Sequence, residues 1–230
     1  MELLNSLVGQ INDILWSYVL IILLIGAGII FTIRTKFVQI RFIKEMIRLI
    51  AGDAGNKMEG QQISSFQAFC VSTASRVGVG NIAGIAIAVV LGGPGAIFWM
   101  WIIAILGSAT GFVESTLAQI YKVPRTDSNG YLGGPAYYIN NALHSPKTAV
   151  FFAILISFTY GLIFNSVQSN TISLSLQTAF NFDATMIGIV IAVFSGIVVF
   201  GGLHRIAKVT EYMVPIMAGI YLLIAFAITI

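Results

Sequence analysis

The chain has 230 residues, of which 57% are hydrophobic and 9% charged, and it carries a formal net charge of +3. With a mean hydropathy of +0.92, this composition excludes an ordinary soluble domain and points to a protein that crosses a membrane several times. The basic residues are dispersed between apolar stretches rather than gathered in one patch, which sets nucleic-acid binding aside.

A helix needs about 20 mostly apolar residues to cross the hydrocarbon layer. Six stretches qualify, at 13–33, 64–91, 95–121, 148–174, 184–203 and 210–230. The first follows Glu2 and Asp13 and precedes a basic loop, the reverse of a cleavable signal peptide, so it reads as a retained leading helix. In the loop 34–62, Phe37, Ile40, Phe42, Ile43, Met46, Ile47 and Ile50 alternate with Arg41, Lys44 and Arg48 at helical spacing. That pattern predicts an amphipathic helix at the membrane surface, closed by a loop over 51–56.

Gly92-Gly93-Pro94-Gly95 predicts a tight turn between the second and third stretches. Residues 124–135 read as loop, with Asp127-Ser128-Asn129-Gly130 as its turn. A short interfacial helix then begins at Gly133-Gly134-Pro135 and breaks at Ser145-Pro146.

Lys and Arg fall at 34, 36, 41, 44, 48 and 57, at 122, 125 and 147, and at 205 and 208, while residues 1–12, 92–94 and 181–183 contain none. The positive-inside bias therefore predicts an amino terminus outside the cell membrane, a cytoplasmic 34–62 loop and an outside final residue. Of the Lys and Arg residues, Arg76 alone lies within an expected span. The single Cys70 excludes an intrachain disulfide.

The second stretch contains Ser75-Arg76-Val77-Gly78-Val79-Gly80-Asn81 at its centre. An uninterrupted spanning helix satisfies its own backbone, so two glycines, an asparagine and an arginine there need a reason. Residues 64–75 and 82–91 each make about half a crossing at 1.5 Å per residue. Gly78 and Gly80, lacking a Cβ and tolerating positive φ, are expected to unwind the chain between them. The break leaves carbonyls around 74–77, suited to a cation, and N–H groups around 79–81, suited to a carboxylate. Such a pair at mid-membrane is the pattern of ion-coupled transporters built from discontinuous helices; the alternative is that the glycines only allow close helix packing. A dinucleotide fingerprint at Gly78-Val79-Gly80-Asn81-Ile82-Ala83 fails, because no strand precedes it and no acidic residue lies near position 100.

Residues 66–101, with Phe-Gln-Ala-Phe, then Ser-Arg-Val-Gly-Val-Gly-Asn-Ile-Ala-Gly, then Gly-Gly-Pro-Gly-Ala-Ile-Phe-Trp-Met-Trp, resemble the signature of the alanine or glycine:cation symporters, also called sodium:alanine symporters. Gly133-Gly134-Pro135-Ala136-Tyr137-Tyr138 and Asn165-x-x-Gln168-x-Asn170 resemble two further motifs of that family. The resemblance implies an all-α membrane protein of LeuT-type fold. Its six transmembrane helices comprise an extra leading helix, over 13–33, and the first five-helix inverted repeat, over 64–230. It further implies that the opposite, second repeat is missing from this chain, and the stop at Ile230 inside an apolar helix reads as a fragment.

By the same resemblance the N–H groups of Val79 and Gly80 hold the substrate carboxylate and the carbonyls of Ala74 and Val77 hold sodium, which prefers hard oxygen ligands. Gly78, Asn81 and Thr73 complete the substrate candidates at the break. Asn165, Gln168 and Asn170 form an unusual density of amides for a span; Asn165 and Gln168 share a helix face at i, i+3. They can meet the substrate's charged groups or simply tie helices together. Arg76 and Glu114 are the two charges read as intramembrane, at depths differing by about 7 Å. They are expected to form an ion pair, with direct binding of the substrate carboxylate by Arg76 as the alternative.

His144 and His204 border turns and receive no metal role, and no nucleophile and base stand at matched spacing, so no enzyme is expected. The expected function is sodium-driven symport of alanine or glycine across the cell (inner) membrane, with Na+ as coupling ion, no other cofactor, and the lipid bilayer and the missing repeat as partners. The alternative is a non-transporting membrane fragment or subunit that only packs with partner helices.

Overall fold

The computed structural model describes residues 2–52, 63–126 and 130–229. The loop expected over 51–56 and the turn expected at 127–130 lie mostly outside them. Among the described residues, every regular element is a helix apart from one hairpin of two-residue strands. The first, α1, runs without a break over 2–34, with a π-helical segment at Leu15–Val19, and so begins well before the expected apolar stretch. It is followed by α2 (Val38–Arg41), α3 (Ile43–Gly52), α4 (Ser65–Arg76), α5 (Gly80–Gly92) and α6 (Gly95–Ile120). The hairpin pairs β1 (Val123–Pro124) with β2 (Tyr131–Leu132), and α7 (Pro135–Leu143), α8 (Pro146–Phe180), α9 (Ala184–Val199) and α10 (Gly202–Thr229) complete the chain.

Among the described residues, four helices are long and apolar enough to cross a membrane: α1, α6, α8 and α10. The bent pair α4 and α5 makes a fifth if it is one span, and α9 is a shorter apolar helix. All six expected apolar stretches are thus helical, but two fall short of an uninterrupted crossing. The described residues divide into two compact units. One takes the residues up to Lys44 with Ala88–Thr126 and Tyr131–Ala149; the other takes Glu45–Ile87 and Val150–Ile230.

In the first unit α1 packs on α6. A Cβ added to Gly28 would come within 2.7 Å of Leu106 Cβ, so the glycine permits a close approach of the two backbones. Lys36 and Phe37, both left-handed, turn the chain out of α1 into α2. Gly93, at φ 65°, makes the turn before α6, as expected of a glycine there. The hairpin replaces part of the loop expected over 124–135: Val123 pairs with Leu132 and Pro124 with Tyr131. Gly133 then passes close to α6, where a Cβ would lie 2.7 Å from the Ala118 carbonyl oxygen. Pro135 sits in the first turn of α7, where its missing N–H has no cost.

In the second unit α4 packs on α10, α8 on α9, and α9 on α10. Cys70 of α4 and Ala207 and Val214 of α10 are buried there. The start of α4 is a capping box that satisfies two helix-end donors: the Gln67 N–H donates to Ser64 Oγ at 3.1 Å and the Ser64 N–H to Gln67 Oε1 at 3.2 Å. Asp183 caps α9 by accepting from the Met186 N–H at 2.9 Å.

Candidate functional site

The helix bend lies inside the stretch expected from the sequence: α4 ends at Arg76, α5 begins at Gly80, and their axes differ by 61°. The conformational cause differs from expectation. Neither Gly78 nor Gly80 has positive φ; among the described glycines only Gly93, Gly134 and Gly202 do. The chain leaves the helix at Val77, which is extended (φ −95°, ψ 113°), and is helical again by Val79 (φ −57°, ψ −29°).

Gly78 serves a close approach instead. A Cβ at this position would run into the side-chain amide nitrogen of Gln168 and would stand 3.2 Å from its Cδ. With that space open, Gln168 Oε1 reaches across from α8 and accepts from the Val79 N–H at 3.1 Å. A Cβ on Gly80 would meet nothing within 4 Å.

The expected polar ends are present on the two half-helices. A helix leaves its last four carbonyls without intrahelical partners. Of those in α4, the Thr73 carbonyl accepts from the Val77 N–H at 2.8 Å, and the Arg76 carbonyl accepts from Asn81 Nδ2 at 2.9 Å. Ala74 belongs to the same turn and Val77 follows it, so the carbonyl end carries the partial negative charge of the helix dipole. At the start of α5, Val79 offers its N–H to Gln168, and the Asn81 N–H donates to the Gly78 carbonyl at 3.0 Å. Asn81 thus braces the break through both its side chain and its backbone.

Arg76 folds back along its own helix, donating to the Ser72 carbonyl at 3.3 Å and to Ser72 Oγ. Glu114 lies on α6, in the other unit. Within that unit it stands near Tyr138 of α7: burial and then the Glu114 charge push the Tyr138 phenol above its ordinary range.

The amides of α8 do not act as one face. Gln168 points to the break, whereas Asn165 donates to the Gly161 carbonyl of its own helix at 3.1 Å. Asn165 and Asn170 instead line a cavity of about 570 Å³ with Ser169, Ser173 and Thr185, between α8 and the start of α9. Residues three apart on a helix are separated by roughly 60°, enough to send them to different neighbours.

The sequence reading missed one polar link. Gln67 Nε2 donates to Glu211 Oε2 of α10 at 2.9 Å, and both residues are half-buried. Glu211 is therefore a further charged residue in a helix long and apolar enough to cross a membrane, as Glu114 is on α6. The Ser64-x-x-Gln67 capping pattern was a readable signal for the Gln67 end, but its partner lies 144 residues away.

Several apolar helices, one of them broken into two half-helices at a single bend, fit a multi-pass membrane protein. The chain belongs to the sodium:alanine symporter family, whose model matches residues 1–230. It is 52% identical over 225 residues to the "Probable sodium/glutamine symporter GlnT" of Bacillus subtilis, covering 98% of this chain and 46% of that protein. It is 49% identical over 227 residues to the amino-acid carrier protein AlsT of the same organism, covering 98% and 47%. It is 38% identical over 223 residues to the sodium/alanine symporter AgcS of Methanococcus maripaludis, covering 95% and 49%. These relatives are named as carriers, not as enzymes. The chain spans about half the length of the curated relatives it matches.

Proposed function

We propose that the chain forms one wall of a sodium-coupled amino-acid symporter, with substrate and ion held together at the break between α4 and α5. The carrying observation is the 61° bend, which brings the carbonyl end of one half-helix and the N–H end of another to one place. The carbonyls of Ala74 and Val77 suit sodium, a hard cation that takes several oxygen ligands. The N–H groups of Val79 and Gly80, at the positive end of α5, suit a substrate carboxylate. Thr73, Gly78 and Asn81 are the further substrate candidates at the break, and Asn165, Gln168 and Asn170 are the candidates from α8.

In this reading the chain supplies six spans, a leading helix and the first repeat of a LeuT-type transporter, with its amino terminus outside and the 34–62 segment on the cytoplasmic side of the inner membrane. A second repeat supplies the opposite wall, and alternating access moves one repeat against the other. Arg76 and Glu114 remain candidates for a structural or gating role. Loss of membrane-inserted protein in both Arg76→Lys and Glu114→Gln supports a structural role; a raised half-saturation in Arg76→Lys with normal insertion supports direct contact with substrate.

Alanine or glycine is the substrate favoured by the family. The relative that is 52% identical carries glutamine in its name, which favours glutamine as a second reading. The test is uptake of labelled alanine, glycine and glutamine into proteoliposomes carrying the protein expressed from its complete gene, with and without an inward sodium gradient. Gradient-dependent uptake of one of these is expected. A rate equal to that of empty vesicles for all three refutes transport and supports the non-transporting subunit.

A further inference from the structure

We propose that Gln168 is an intramolecular stand-in for the substrate carboxylate: its amide oxygen caps the Val79 N–H and must withdraw before an amino acid binds there. The inference rests on the symporter reading above.

Two observations meet here. One of the two N–H groups proposed to receive the carboxylate, that of Val79, already donates to Gln168 Oε1, 89 residues away, at 3.1 Å. The site is also shaped for that side chain, because a Cβ on Gly78 would occupy the space of the Gln168 amide. A structure that needed Gly78 only to loosen the helix would leave open space beside it, as it does beside Gly80.

Both partners adjoin π-helical segments, Gly80–Gly84 directly after Val79 and Thr159–Phe164 shortly before Gln168. Such segments carry a wider turn and recur at functional positions.

The chemistry explains why a glutamine fits this role. An N–H shielded from water is costly without an acceptor, and Val79 is half-buried, so a cap there is stabilising. A neutral amide oxygen supplies one, yet it is the weaker acceptor: a hydrogen bond to a carboxylate is roughly twice as strong, and the helix dipole favours the anion further. The substrate can therefore displace Gln168, whereas a glutamate at the same position would hold the N–H as an anion of its own. Because part of the protein is capped at any moment, the apparent affinity for substrate is lowered by the fraction that is uncapped.

The experiment compares wild type, Gln168→Ala and Gln168→Glu in proteoliposomes carrying the protein from its complete gene, using labelled alanine and glutamine at saturating sodium. Removing the competitor is expected to lower the half-saturation by about 2- to 10-fold, the range spanned by the net value of one amide hydrogen bond. Gln168→Glu is expected to raise it at least as far or to abolish uptake. Hydrogen exchange gives a reading independent of transport. Without substrate, the Val79 amide is expected to be protected in the wild type and to exchange faster in Gln168→Ala, and added substrate is expected to restore the protection.

A raised half-saturation in Gln168→Ala overturns the proposal and makes Gln168 a direct ligand. Equal exchange at Val79 in the two substrate-free proteins also overturns it. Where the alanine variant does not fold, Gln168→Met keeps the side-chain length, removes the acceptor and is read by the same outcomes. A wild type that takes up neither amino acid overturns the symporter reading itself, while one that transports with the alanine variant shifted in the wrong direction overturns the stand-in alone.

Discussion

Replacing Gly78 with alanine isolates the close approach that sets Gln168 against the broken helix. The added Cβ would overlap the Gln168 amide nitrogen and lie 3.2 Å from Cδ and 3.3 Å from Oε1. The obstructing atoms are the far end of a flexible side chain, so the amide swings away and the backbone need not shift. The loss is then mainly the bond from the Val79 N–H to Gln168, a net contribution of about 0.5–1.5 kcal/mol. A smaller cost of repacking brings the expected destabilisation of Gly78→Ala to about 1–2 kcal/mol. In a Gln168→Ala background there is no amide to displace, and the second substitution should cost nearly nothing. The assay is a double-mutant cycle on unfolding in mixed micelles, followed by far-UV circular dichroism. Non-additivity of about 1 kcal/mol is expected, against the roughly 0.3–0.5 kcal/mol within which independent sites add. A full cost for Gly78→Ala that persists unchanged without Gln168 refutes the steric account.

Glu211→Ala removes the acceptor of Gln67 and should lower stability by about 1.5–3 kcal/mol, the range for a hydrogen bond to a charged group, while Glu211→Gln keeps an acceptor and stays closer to wild type in the same unfolding assay. Gly133→Ala drives a Cβ against the Ala118 backbone oxygen, which cannot rotate away, and should cost about 1–3 kcal/mol. Gly84→Ala, with nothing within 4 Å of the new Cβ, serves as the tolerated control, and equal costs for the two would contradict the packing around Gly133. Tyr138 binds its proton more tightly in the folded state than at its ordinary value of 10.0. As pH rises past that value the unfolded chain releases a proton that the folded chain keeps, so stability present below it is lost above it. Tyr138→Phe should flatten that alkaline decline in a pH series of unfolding midpoints.

The break between α4 and α5 was legible because its signals are local. Glycines, an asparagine and an arginine within a few residues interrupt a helix wherever the rest of the chain lies, and the observed bend falls among them. The function of Gly78 was not legible. Lack of a Cβ can serve either positive φ or close approach, and only the arrival of Gln168 decides between them. The amides of α8 show the same limit, since helical spacing placed Asn165 and Gln168 near one face but did not say which neighbour each would meet.

Composition and periodicity by themselves determined that this is a membrane protein of apolar helices and where one of them breaks. Those properties follow from the bilayer's demand for continuous apolar length and from backbone groups that must find partners within a few residues. The tertiary structure decided that Val79 is capped by Gln168, that Gln67 is tied to Glu211, and that Asn165 and Asn170 line a separate cavity. The two bonds join residues 89 and 144 positions apart, and helix packing, not local spacing, selects such partners.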